Sequence, residues 1–121
     1  MSEWRTLTGR EASLLELLLG QDFFGVAALR LQAFDPATRV RTLDEDGSIA
    51  FQIAGHLPVA EVLERVPVEV TSPPGGSPGE HVHGLLHVID GLLSELEIYA
   101  DDGAIVTEWP PLDEWAIEDY S

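Results

Sequence analysis

The stretch that most constrains the fold is residues 80–99, EHVHGLLHVIDGLLSELEIY, in which two runs of strand-like residues flank Asp90 and Gly91. Asp-Gly between two such runs is a strong signal for a β-hairpin, because both residues tolerate a positive φ. The runs, near 81–88 and 92–99, are therefore predicted to be antiparallel neighbours. Which side chains share a face then depends on the register of the pair.

Two registers of this hairpin have opposite consequences. With a two-residue turn at 90–91, Leu86 would pair with Glu95, and each face of the hairpin would mix polar and apolar residues. A three-residue turn with a glycine bulge pairs Val88 with Leu92 and separates polar from apolar residues. Because a one-residue shift moves every side chain to the other face, we expect the second register. Its predicted polar-face pairs are His81 with Tyr99, His83 with Glu97, Leu85 with Glu95 and His87 with Leu93.

The polar face of the predicted hairpin is the main candidate for chemistry. Same-face residues two apart on a strand lie about 6.6 Å apart, twice the strand rise, so His81 and His83 can converge on one ion. Glu97 is the third candidate ligand and His87 a further one, and imidazole with carboxylate suits a divalent metal such as Zn.

The alternative is an exposed face on which imidazoles pair with carboxylates across the hairpin, each pair contributing ~0.2–1 kcal/mol. We expect this arrangement, and no cofactor, because Leu85 interrupts the histidines and no HExxH motif fixes a ligand geometry. Histidine changes charge near neutral pH, so the same face is expected to respond to mild acid.

Other catalytic signatures are absent from the sequence. There is no cysteine, no P-loop and no G-x-G-x-x-G. Glu95 and Glu97 form a same-face carboxylate pair, which on an acidic chain is typical of surface. Whether the protein is an enzyme stays open, and the sequence favours a non-enzymatic role.

The helix signals lie at the start of the chain. Thr8 and Glu11 match a capping box, and leucines recur at helical spacing behind it, so residues 9–19 are predicted to be a helix. A second helix is predicted over 23–34, ending before Pro36. Its predicted shared face is Phe23, Ala27, Leu31 and Phe34.

After the helices, the periodicity changes to that of strands, with Gly47 at a turn that requires positive φ. Residues 57–65 are predicted to be a short helix or an irregular crossing, PPGGSPG at 73–79 a flexible loop, and the tail after Trp109 a surface segment. Six strands are predicted, near 39–43, 48–54, 67–72, 81–88, 92–99 and 104–109. The predicted apolar face of the sheet is Val82, Leu86, Val88, Leu92, Leu96 and Ile98, covered by Leu14, Leu15 and Leu18.

These elements predict a single domain spanning residues 1–121, of the α+β class. One helix, or two, is expected to pack on one face of an antiparallel, mostly meander sheet of five to six strands.

The charge of the chain is its strongest global property. The net charge is −16, and residues 66–121 hold twelve Asp or Glu and no Arg or Lys. Such a surface repels nucleic acid and anionic lipid. The chain has no predicted membrane span or signal sequence, so we expect a cytoplasmic protein. The acidity is typical of a soluble surface or of a surface for a basic protein partner.

RTLTGREASLLELLL resembles the opening of a family of short, uncharacterised bacterial proteins that begin R-x-L-T-x-x-E-x-x-L-L-x-x-L-L. The similarity continues through LLSELEIY and a following Asp-Gly to Trp109-Pro110, and covers roughly residues 5–110. ALRLQAF and PPGGSPG depart from it. The resemblance implies no catalytic residues, since no activity is assigned to the family. Some such small acidic proteins resemble immunity or antitoxin components.

The sequence thus predicts an interaction protein that offers its acidic half to a basic partner. A metal-binding protein or metal-dependent enzyme at the histidine cluster is the alternative. An apolar patch on the side of Leu85, Leu93 and Tyr99 would instead suit a second copy of the chain.

Overall fold

A computed structural model describes residues 3–72 and 81–119, which form two helices packed on a six-stranded sheet. The elements are α1 (Gly9–Leu19), α2 (Val26–Phe34), β1 (Arg39–Thr42), β2 (Ile49–Gln52), β3 (Val68–Thr71), β4 (Val82–Ile89), β5 (Leu92–Ala100), a 3₁₀ turn (Leu112–Glu114) and β6 (Ala116–Asp119). The predicted α+β class, with N-terminal helices on an antiparallel sheet, is confirmed.

The sheet consists of the β1–β2 hairpin and the β3–β4–β5 meander, joined side by side, with β6 added at the edge of β3. The strand order is β1-β2-β5-β4-β3-β6, and every neighbouring pair is antiparallel. β5 is therefore central, because it lies between its hairpin partner β4 and the short strand β2. Alternate residues of the strands point toward the helices and form one buried cluster with them.

Helix α1 begins and ends where its sequence predicts. The Thr8 hydroxyl accepts from the Glu11 amide, and the Glu11 carboxylate accepts from the Thr8 amide at 2.9 Å. Arg5 adds two hydrogen bonds to the same carboxylate, at 2.8 and 2.9 Å, and its backbone bridges to Val40 on β1. The ion pair therefore fixes the start of α1 against the edge of the sheet.

Helix α2 begins three residues later than predicted and buries a different face. Gly25 precedes it with φ of 91°, and a side chain there would meet the carbonyl oxygen of Glu61 at 2.7 Å. The predicted shared face is wrong, since Leu31 and Phe34 are 57% and 41% exposed. The face that is buried consists of Val26, Leu29, Gln32 and Ala33.

The register of the β4–β5 hairpin differs from both predicted ones. The turn is the two-residue kind, with positive φ at Asp90 and Gly91, so the predicted three-residue turn is wrong. A β-bulge then leaves Ser94 without a cross-strand partner and brings Leu86 opposite Leu96. The turn and the bulge each shift the pairing by one residue, so the predicted separation of the two faces is correct along β4 and along β5 beyond the bulge.

The individual cross-strand pairs change accordingly. Val88 pairs with Leu93, and the observed polar-face pairs are His83 with Tyr99, Leu85 with Glu97 and His87 with Glu95. Leu93 is 2% exposed and belongs to the core, whereas Leu92, predicted to be buried, is 37% exposed.

Gln32 satisfies backbone groups next to this bulge. It is fully buried, and its Oε1 accepts from the Leu93 amide at 2.9 Å. Its Nε2 donates to the carbonyl oxygens of Gly91 and Pro58, at 2.9 and 2.8 Å. The side-chain amide thus satisfies backbone groups at the end of β5, where β2 no longer reaches.

Ser48 likewise satisfies backbone groups near the other end of β5. Backbone pairing between β2 and β5 covers only Ile49 with Leu96 and Ala50 with Glu95. Beyond it, the buried Ser48 hydroxyl accepts from the Ile98 amide at 2.8 Å and donates to the Ile98 carbonyl at 3.2 Å. Since buried backbone groups require partners, these two side chains extend the edge that β2 leaves incomplete.

The C-terminal segment differs most from the prediction. Residues 104–109 do not form a strand, and the sixth strand is Ala116–Asp119, which pairs with β3. The tail therefore adds a strand to the sheet, where only a surface segment was predicted. Residues 57–65 are irregular, as one of the two alternatives had it, and the predicted loop at 73–79 lies outside the described residues.

Gln32→Met should destabilise the fold by about 1–3 kcal/mol, because it leaves the buried Leu93 amide without its hydrogen-bond acceptor. Urea unfolding measures the change. Gln52→Met, the same substitution on an exposed strand position, should have little effect. Equal losses in the two variants would contradict the role given to Gln32.

Glu11→Gln tests the ion pair through its pH dependence. Burial raises the pKa of Glu11, but hydrogen bonds from Arg5 and Thr8 outweigh it and leave the pKa below its usual range. Because the folded-state pKa is lowered, the ionised carboxylate stabilises the folded protein at pH values above 4.5, the ordinary pKa. This contribution is lost as the pH falls through the folded-state pKa.

The difference in unfolding free energy between wild type and Glu11→Gln should therefore be largest near neutral pH and shrink in acid. Thermal unfolding across this range measures it, with the exposed Glu16→Gln on the same helix as the control. A difference that does not depend on pH would show that the carboxylate charge is not what stabilises this corner.

Candidate functional site

The side of the sheet away from the helices presents the predicted site residues. We define the open face as the outward side chains of β3, β4 and β5: Glu69, Thr71, His83, Leu85, His87, Glu95, Glu97 and Tyr99. Their neighbours in sequence point the other way and form the core, which is why the pattern of burial alternates along β4. The alternation of the sequence is therefore what places them together.

The open face is strongly acidic. Its strands all come from residues 66–121, which contain no Arg or Lys. In one row across the sheet, Leu85 lies between Glu97 on β5 and Glu69 on β3, and Glu118 on β6 follows Glu69. Glu95 occupies the next row. Carboxylates thus recur along and across these strands, and the strands carry no Arg or Lys to offset them.

His81 and His83 bind neighbouring protein groups. Nδ1 of His81 donates to the Ser72 carbonyl oxygen at 2.6 Å. Nε2 of His83 lies 2.5 Å from Oδ1 of Asp101, and its Nδ1 lies 3.3 Å from the Thr71 hydroxyl. The two rings are 6.3 Å apart between centroids, at an angle of 48°. Each imidazole is held by a different group.

His87 is the imidazole that Glu97 binds. Its Nε2 lies 2.9 Å from Oε1 of Glu97, whereas Glu97 was predicted to lie beside His83. The other ring nitrogen, Nδ1, is buried and has no partner among the described residues. The structure therefore joins two candidate metal ligands, His87 and Glu97, and leaves the other two on separate partners.

Across residues 3–72 and 81–119, no three His, Asp or Glu side chains are placed to hold a metal ion. Binding at His81, His83 and Glu97 would require Glu97 to leave His87 and the two rings to turn toward one point. Metal binding stays a prediction.

The pKa of Tyr99 reflects the negative charge of the open face. Its ring stacks on that of His83 at 4.7 Å. Burial raises the pKa of Tyr99, and the charges of Glu97, Asp101 and Glu69 raise it further. A group surrounded by negative charge resists forming another, so the phenol indicates negative potential at this point.

Some residues of this site were missed from the sequence. Asp101 follows the same alternation as Glu97 and Tyr99, so extending the strand pattern by one step would have found it. Thr71 and Glu69 come from β3, which the predicted meander places beside β4, but the sequence does not specify the register of that pair. The register brings these residues to the histidines.

No family model, curated protein or solved structure matches this chain. The resemblance to a bacterial family stays a prediction. In the part of the chain that the structure describes, no helix is long and apolar enough to cross a membrane.

Glu97→Gln should lower the pKa of Tyr99 toward its ordinary value, because it removes one of the negative charges that oppose ionisation of the phenol. The near-ultraviolet absorbance of the phenolate measures it, in a Tyr120→Phe background that leaves one tyrosine. Glu45→Gln, the same change in the exposed β1–β2 turn, should leave the pKa unaltered. An equal shift in both variants would refute a local effect of the open face.

Proposed function

We propose that this protein is a non-enzymatic interaction module that binds a basic protein partner on its open face. The observation that carries the proposal is the segregation of charge. Four of the six strands come from a half of the chain without Arg or Lys, and three of them direct carboxylates away from the helices. The open face therefore combines negative charge with an uncovered sheet surface.

The open face also carries side chains that suit the centre of an interface. Leu85 is half-buried between Glu97 and Glu69, and Tyr99 is 37% exposed beside the stacked His83 ring. Tyrosine is enriched among residues that contribute most to binding, and a rim of charges typically surrounds such anchors. Leu85 and Tyr99 are the proposed contacts, and the carboxylates supply orientation.

Negative potential on this face would mainly increase the rate at which a basic partner associates. Complementary charge speeds association and excludes wrong partners more than it adds final affinity. An immunity-type inhibitor of a basic toxin would use such a surface. The same charge repels phosphate backbones, so nucleic acid is not the proposed ligand.

A second copy of the chain fits this face less well. A symmetric dimer places the same patch on both sides of the interface. The acidic patch that contains Glu69, Glu95 and Glu97 would then meet the same acidic patch of the other copy, and like charges brought together oppose association. The geometry favours an oppositely charged partner over self-association here.

The paired arrangement of the polar groups favours recognition over catalysis. His87 with Glu97 and His83 with Asp101 hold each other in place. A general base needs its second ring nitrogen within reach of a substrate proton. Here Nδ1 of His87 is buried, and Nδ1 of His83 lies against the Thr71 hydroxyl. We therefore propose no reaction for these groups.

A photocrosslinking amino acid at Tyr99 should capture a basic partner in cells of the source organism, while the same group at the exposed Leu31 on α2 should not. With the purified partner, affinity should fall at least tenfold when salt rises from roughly 0.05 M to roughly 0.5 M, because added ions screen the charges.

Charge reversal tests the same surface. Glu97→Lys should slow association about tenfold or more, whereas Glu16→Lys on the exposed side of α1 should change it little. Stopped-flow measurements separate association from dissociation. A captured partner that is acidic, or whose binding ignores salt and both variants, would defeat the proposal.

A further inference from the structure

A cleft outside the open face lies between the first turns of α1 and the C-terminal segment 107–115. It encloses about 450 Å³, within the usual range for small-molecule sites. Its walls are mostly apolar, formed by Trp109, Trp115, Leu112 and two prolines. Arg10 and Ser13, one turn apart on α1, supply polar groups. The cleft thus combines flat apolar walls with a cation.

Trp109 is held firmly in this wall. Its indole N–H donates to the Asp46 carbonyl at 3.0 Å, and the Asp46 carboxylate accepts from the Val106 amide at 2.7 Å. Gly47 beside it has φ of 97°, and a side chain there would meet Arg10 at 2.8 Å and Trp109 at 3.0 Å. The β1–β2 turn therefore fixes the tryptophan close beneath the guanidinium.

Arg10 differs from Arg5 and Arg39 in how its donors are used. Its guanidinium carbon lies 4.1 Å from the centre of the Trp109 ring, which holds the planar group over the indole. Arg5 donates hydrogen bonds to Glu11, and Arg39 donates to two carbonyl groups. Within the described ranges, no hydrogen bond or ion pair engages Arg10, so its edge is available to a ligand.

We propose that this cleft binds a small aromatic carboxylate. A guanidinium presents two parallel donors that match a carboxylate, and it is oriented in advance when it stacks on an aromatic ring. Trp115, 7% exposed, and the prolines offer flat apolar surface to the ring of the ligand. Ser13 provides a further hydroxyl on the Arg10 side.

Two features disfavour the binding of an anion in this cleft. The whole chain carries a net charge of −16, and Glu108 lines the cleft. Affinity must therefore come from the local guanidinium, and neutralising Glu108 should strengthen it. Glu108→Gln is expected to improve binding of the carboxylate several-fold, since it removes a nearby like charge.

The probe is 1-naphthylacetate, with the neutral 1-naphthylacetamide as its matched analogue. ¹⁵N-labelled protein resolves the indole N–H signals of its three tryptophans, and we expect the signals of Trp109 and Trp115 to shift while that of Trp4 stays. For a ligand of this size the dissociation constant should be on the order of 1 mM or tighter. No shift at ten times that concentration would overturn the proposal.

Two variants separate recognition of the carboxylate from a purely structural role of Arg10. Arg10→Gln should weaken naphthylacetate about tenfold and leave the amide unchanged. Arg41→Gln is the control, because Arg41 also lies over a tryptophan, at 5.0 Å from Trp4, yet outside the cleft. If Arg10→Gln abolishes binding of both compounds, or if the acid and the amide bind wild type equally, Arg10 only supports the cleft and the proposal is wrong.

Discussion

The pairing of β4 with β5 decides which side chains enter the core and which face outward, and that pairing depends on hydrogen bonds from outside the hairpin. Left to a two-residue turn alone, the hairpin would continue with Leu86 beside Glu95, which would bury a carboxylate. The bulge at Ser94 corrects the register. Gln32 stabilises that region, because it satisfies the Leu93 amide and the Gly91 carbonyl on either side of the exposed Leu92. One glutamine on a helix thereby supports the separation of the two faces of a sheet.

The features that the sequence predicted well are those that depend on local patterns. The capping box at Thr8 and the leucines behind it need only residues within one helix. The alternation along β4 and β5 fixed the faces even though the predicted turn was wrong, because burying apolar residues is a stronger constraint than turn type. The side of the sheet that carries His83, His87 and Glu97 followed from that alternation alone.

The features that the sequence did not predict depend on distant contacts. Gln32 is 61 residues from the amide it satisfies, and a glutamine in a helix carries no signal for a buried role. Strand β6 was missed because its four residues lie in a polar, aromatic tail and find a partner only at the free edge of β3. The pairing of Glu97 with His87, and the approach of Asp101 and Thr71 to His83, likewise depend on a register and a strand order that no short motif encodes.

The distribution of charge connects these structural findings to function. All six arginines precede residue 66, and most of them are occupied with the helices or the β1 edge. Arg5 binds Glu11, Arg30 donates to the Leu19 carbonyl, and Arg41 lies over Trp4. No arginine lies on the strands that form the open face, so those strands supply no arginine to neutralise its carboxylates. A chain that needed only solubility could intersperse both signs over its surface. Here the carboxylates of β3 and β5 lie around Leu85 and Tyr99 without an arginine on those strands. This arrangement favours recognition of an oppositely charged surface.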